Sequence, residues 1–103
     1  MDKPELKARC KKLEEYCKTH NVIRAILFGS QARGTANKKS DFDIIIIYNT
    51  EKGFFERYND FKEVYPFFDN NLDLLLYTPT EWEVVKNRKF FIRAIKEGNI
   101  VYG

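Results

Sequence analysis

The sequence predicts an α/β fold of the α+β kind, a small β-sheet covered by helices. Three observations carry that expectation. Segments with helical spacing of apolar residues are interspersed with three or four short strand-like runs along the 103 residues. One of these runs, Ile44-Ile45-Ile46-Ile47, has no polar alternation, the pattern of a strand covered on both faces. Apolar residues make up 44% of the chain and aromatics 16%, enough to pack helices onto a sheet around one core. No repeat, low-complexity run or linker divides the sequence, so one domain over 1–103 is expected. Periodicity leaves strand order and direction open.

Leu6, Cys10, Leu13 and Cys17 recur at i, i+4, i+7 and i+11 and predict a first helix from about Pro4 to Thr19. Val22 to Phe28 reads as a strand that stops at Gly29-Ser30, and Gln31 to Ser40 as a short helical turn plus loop. Asp41 opens the second strand. Phe54, Tyr58, Phe61 and Tyr65 repeat at helical spacing and predict a helix that ends before Pro66, its aromatic face on the sheet. Leu72 to Tyr77 is a third strand. Thr80-Glu81-Trp82-Glu83 has the spacing of a capping box opening a helix. Gly98 stops a last helix that contains Phe91, Ile92 and Ile95, and Asn99 to Tyr102 adds a short edge strand.

The formal charge of +3 is modest and its Lys and Arg residues are dispersed, which does not by itself indicate nucleic acid. No run approaches the length of a membrane span, and the N-terminal segment lacks the apolar stretch of a signal peptide, so a cytoplasmic protein is expected. Cys10 and Cys17 lie two helical turns apart, about 10.5 Å along the axis, too far for a disulfide, and read as core-facing small side chains. His20 reads as a helix-end or surface residue. Zinc would need more His and Cys than the chain has.

The chemistry is in the acids. Asp41 and Asp43 stand at i and i+2, so on a strand both leave one face about 6.7 Å apart along the chain. Asp73 enters a later apolar run. Bringing two like charges to ~5 Å costs roughly 3 kcal/mol at an effective dielectric of ~20, so a cluster of this kind implies a divalent cation, with phosphate chemistry as the first inference. Gly29-Ser30 turns the chain after a strand, bringing backbone N–H groups and the Ser30 hydroxyl close to a phosphate. Arg33 is a candidate for gripping phosphate oxygens or an acidic partner, and Lys38 and Lys39 for steering an anionic substrate inward. Asp69 lacks the apolar-acid-apolar context of Leu72-Asp73-Leu74 and is left out of the site.

Phe28-Gly29-Ser30, ten residues, then Asp41-Phe42-Asp43-Ile44 resembles the nucleotidyltransferase signature of the DNA polymerase beta superfamily. With the run Gly29-Ser30-Gln31-Ala32-Arg33-Gly34 and the short length, the chain is similar to the minimal nucleotidyltransferases, the small partners of helical HEPN proteins in two-gene modules. The resemblance implies a small mixed sheet. It also implies a site in which Asp41, Asp43 and Asp73 ligate Mg²⁺ and Gly29, Ser30 and Arg33 bind the nucleotide. The expected reaction is transfer of AMP from ATP to a hydroxyl, with Asp73 accepting its proton. Larger relatives carry an added domain that holds the acceptor. Here a second molecule would bring it, by resemblance a HEPN toxin whose tyrosine is adenylylated, making this chain an antitoxin. An antitoxin that masks its partner by contact alone is the alternative, and a small-molecule acceptor such as an aminoglycoside a third reading. An exposed aromatic face would suit a partner or a homodimer.

Overall fold

The uninterrupted isoleucine run organises the molecule. The computed structural model describes residues 3–36 and 41–103, which leaves Lys38 and Lys39 outside the described residues. A first helix, α1 (Lys3–Lys18), leads into β1 (Val22–Phe28) and the single turn α2 (Gly29–Arg33). Next come β2 (Phe42–Tyr48), a 3-10 segment (Glu56–Phe68) and β3 (Leu72–Tyr77). Two helices, α3 (Pro79–Val85) and α4 (Lys89–Glu97), precede β4 (Asn99–Tyr102).

The four strands form one sheet in the order β3-β2-β1-β4. β1 pairs antiparallel with β2 and with β4, while β2 and β3 run parallel, so the sheet is mixed. β4 is an edge strand, as its position after Gly98 suggested. The isoleucines of β2 divide between two cores. Ile44 and Ile46 face α1 and the 3-10 segment with Leu13, Cys17, Phe61, Val64 and Phe68. Ile45 and Ile47 face α3 and α4 with Trp82, Phe91 and Ala94. Cys17 is buried and Cys10 half-buried, both free thiols. Among the described residues no helix is long and apolar enough to cross a membrane.

Two local readings need correction. The middle element is a 3-10 segment broken at Phe61 (φ −122°, ψ 16°); Phe61 is buried and Tyr58 and Tyr65 pack against the core as read, but Phe54 is exposed and the fully buried positions include Arg57, Val64 and Phe68. It runs through Pro66 to Phe68, because short 3-10 turns contain no long i→i−4 ladder for proline to interrupt. The cap of α3 is Thr78, not Thr80: the Thr78 side chain accepts the Glu81 N–H, the Glu81 carboxylate accepts the Thr78 N–H, and Pro79 occupies the first helical position. Gly98 ends α4 as the sequence indicates, in extended backbone (φ −83°). A Cβ there would meet the carbonyl oxygens of Ala94 at 2.6 Å and Leu27 at 2.8 Å, so glycine is required for close approach of α4 to β1.

Glu81 also carries the main buried charge contact. Arg57, 5% exposed, donates to both Glu81 oxygens at 2.6 and 3.0 Å and to the carbonyls of Leu76 and Lys52. Arg57 above all, with the Thr78 N–H, lowers the Glu81 pKa to about 2. This clamp ties the 3-10 segment to the end of β3 and the start of α3.

Candidate active site

The ladder positions a row of three side chains across the sheet. Phe28 is the Cα partner of Asp43 in the antiparallel β1–β2 pair, and Asp43 is the Cα partner of Asp73 in the parallel β2–β3 pair. Neighbouring strands lie about 4.8 Å apart, and residues opposite one another share a face. Leu72, Leu74 and Leu76 point into the α1 core, whereas Leu75 packs with Ile45 and Ile47. Alternation therefore puts Asp73 and Asp43 on the α4 face, at the end of the sheet where β1 stops and β2 and β3 begin. Asp41 sits one residue before β2 rather than opening it, and is exposed.

Gly29 stands beside this row. It has φ +75°, and a Cβ built on it would lie 2.4 Å from Asp43 Oδ2. The position demands glycine twice over, for the left-handed backbone and for the space the carboxylate fills. Gly29→Ala is expected to cost about 1–2 kcal/mol in thermal melts, and to displace Asp43 enough to slow any chemistry there by about a hundredfold. Ser30 follows in α2, half-buried, with its carbonyl accepting the Gly34 and Thr35 N–H groups.

Burial, then the charges of Asp73 and Asp41, push the Asp43 pKa up, and Arg33 opposes them. The protein thus holds an electrostatically unfavourable carboxylate at the centre of the row. Arg33 is not idle: its guanidinium meets Glu97 of α4 at 3.2 Å, and Glu97 accepts from Arg93 at 3.1 Å. Those two partners, Arg93 foremost, hold the Glu97 carboxyl below its usual range. Asp69 lies away from the row, paired with Arg9 at 2.7 Å.

As the side chains stand, no three His, Cys, Asp or Glu groups among the described residues form a ready metal-holding group. What converges is the Cα register and the charge. Asp41 and Asp73 are exposed and can turn about their side-chain bonds, so the donor set fits a hard divalent ion, which takes oxygen ligands and would relieve the repulsion on Asp43.

Sequence reasoning missed Glu97, 64 residues from Arg33, because nothing local signals such a pair. It also gave Tyr58 and Tyr65 no electrostatic link to Asp73. The Asp73 charge adds to burial in raising both phenols, and the Tyr58 hydroxyl donates to the Leu74 carbonyl at 2.8 Å.

A family model for the nucleotidyltransferase domain matches residues 10–98. The chain belongs to that family. Among curated proteins none matches it. The nucleotidyltransferase domain is similar in fold to a structure designated a minimal nucleotidyltransferase, with a TM-score of 0.71 and 21% identity over 96% of this chain and 95% of that one. It is also similar to a chain of a toxin-antitoxin structure with AMP-PNP, at TM-score 0.65 and 17% identity, covering 91% of this chain and 73% of that one. A third likeness is to a structure of the tri-AMPylated Shewanella oneidensis HEPN toxin in complex with its MNT antitoxin, at TM-score 0.58 and 14% identity over 92% of this chain and 70% of that one.

Proposed function

We propose that this nucleotidyltransferase domain transfers AMP from ATP, with Mg²⁺, to a tyrosine hydroxyl of a HEPN toxin and so acts as an antitoxin in the cytoplasm. The observation that carries this reading is the register of Asp43 against Asp73 with Gly29 packed on the Asp43 carboxylate. The AMPylated HEPN toxin and the AMP-PNP in the structures of its neighbours support the choice of donor and acceptor.

In this reading Asp41, Asp43 and Asp73 hold the metal. When bound, Mg²⁺ would neutralise charge on the triphosphate and on the departing pyrophosphate. Gly29 turns the backbone so that its N–H groups face the phosphates, Ser30 donates its hydroxyl to a phosphate oxygen, and Arg33 exchanges Glu97 for the triphosphate. Asp73, exposed at the edge strand, accepts the proton of the acceptor hydroxyl as its oxygen bonds to the α-phosphorus and the bond to pyrophosphate breaks.

The test is incubation with Mg²⁺ and α-labelled ATP, with and without a HEPN protein encoded beside this chain, followed by intact-mass analysis. Added AMP units on the partner are expected, and Asp41→Asn should suppress them while the complex still forms. Tight binding that protects against the toxin with no label transferred would reject the enzyme in favour of masking by contact.

A further inference from the structure

Beside the acid row stands an aromatic ring that the core does not consume. Phe90, in the first turn of α4, is 57% exposed, although its neighbour Phe91 is buried. It meets Phe28 at 5.8 Å between centroids and 90°, and Phe91 at 5.0 Å and 87°. Both contacts are perpendicular, and among the described residues no ring lies parallel to it. The ring is therefore braced by two others while keeping much of its surface open.

Its location follows from two independent anchors. Phe28 is the Cα partner of Asp43, so the ring touching Phe28 borders the acid row. At the other end of α4, Glu97 is bonded to Arg33, whose charge acts on Asp43. Phe90, Arg93 and Glu97 are spaced at i, i+3 and i+7, which lays an aromatic ring and a guanidinium along one side of the helix ending at Arg33. Aromatic surface at one end and guanidinium groups at the other is the arrangement a nucleoside triphosphate matches, base at the ring and phosphates toward Arg33 and the acids.

We infer that Phe90 is the platform on which the nucleobase of the donor stacks. This rests on the nucleotidyltransferase reading and adds a residue and a selectivity to it. Stacking on a phenyl ring uses the π-face that every base has, so Phe90 favours purines over pyrimidines by overlap and does not choose between adenine and guanine.

The experiment compares binding of Mg·ATP and Mg·tripolyphosphate, which lacks the base, to the intact chain and its variants. Phe90→Ala is expected to weaken ATP about 5- to 100-fold while leaving tripolyphosphate unchanged, the latter also showing that the variant is folded. Phe90→Trp should retain or tighten ATP. Phe55→Ala, which removes an 85% exposed ring in the segment after β2, should do neither. GTP should follow ATP, and CTP and UTP should bind more weakly in the wild type. Equal loss of ATP and tripolyphosphate in Phe90→Ala, or no loss of ATP, would overturn the platform while the nucleotide reading stands. A wild type that binds neither ligand would sink that reading, and the platform with it.

Discussion

Asp43→Asn should lower label transfer by about a thousandfold and, in the same protein, raise the melting temperature. The rate loss corresponds to about 4 kcal/mol of transition-state stabilisation, the scale of removing a central metal ligand. The gain in stability has a separate cause. Burial and the neighbouring charges of Asp73 and Asp41 raise the Asp43 pKa, so the folded chain binds this proton more tightly than the unfolded one. Its stabilising contribution is complete below the ordinary aspartate range and is lost as pH rises through the folded pKa. At neutral pH without metal the carboxylate works against the fold, and asparagine removes that opposition. A higher melting temperature is expected by calorimetry without divalent ions. Added Mg²⁺ should stabilise the wild type and not the variant. A variant that melts below the wild type in the absence of metal would contradict this account of the site.

Glu81→Gln should have the opposite effect, a loss of about 2 kcal/mol with transfer activity retained at temperatures where the variant is folded. Gln keeps the reciprocal cap with Thr78 and one oxygen that still accepts from Arg57, but it removes the carboxylate charge and turns an NH2 group toward the second Arg57 N–H, leaving a buried cation without its counter-charge. The Glu81 pKa is lowered to about 2, so its contribution is present above the ordinary glutamate range near 4.5 and is lost as pH falls toward 2. The full linkage would exceed 2 kcal/mol, but the Glu81 side chain is 43% exposed and solvent screening reduces it. Acid melts from pH 5 to 2 should therefore be flatter in Glu81→Gln than in the wild type. Arg57→Met combined with Glu81→Gln should recover part of the loss, since the double change leaves no uncompensated buried charge.

These two predictions differ in how much of their basis could be read from the chain. The β-branched run, the stop at Gly29 and the placement of Asp73 in a strand are local patterns, and they sufficed for three or four strands and a covered sheet. Register was out of reach: no periodicity says that Asp43 lies opposite Asp73 and not opposite Leu74. The buried Arg57 of the middle segment was not legible because an arginine reads as solvent-exposed until its partner is known, and Glu81 lies 24 residues away. Thr78-Pro79-Thr80-Glu81-Trp82-Glu83 offers two overlapping capping spacings, and Pro79, which suits the first helical position, decides for Thr78. Gly29 was legible as a turn, but its contact with Asp43 required the β1–β2 ladder.

The parallel pairing of β2 with β3 also orders events in time. β1 and β2 are antiparallel neighbours close in sequence, whereas β3 reaches β2 only after residues 49–71 have crossed one face of the sheet, buried there through Phe61, Val64 and Phe68. During folding, the Asp43 strand can pair with β1 early, and the like-charged Asp73 arrives only when this crossover docks. The repulsive encounter of the two acids is thereby deferred until most of the α1-side core is available to hold it. In the native state the same hierarchy runs backward: fraying of the edge strand β3 would take Asp73 out of register while β1 and β2 remain paired, so amide exchange at Asp73 should outpace exchange at Ile45 and Ile46.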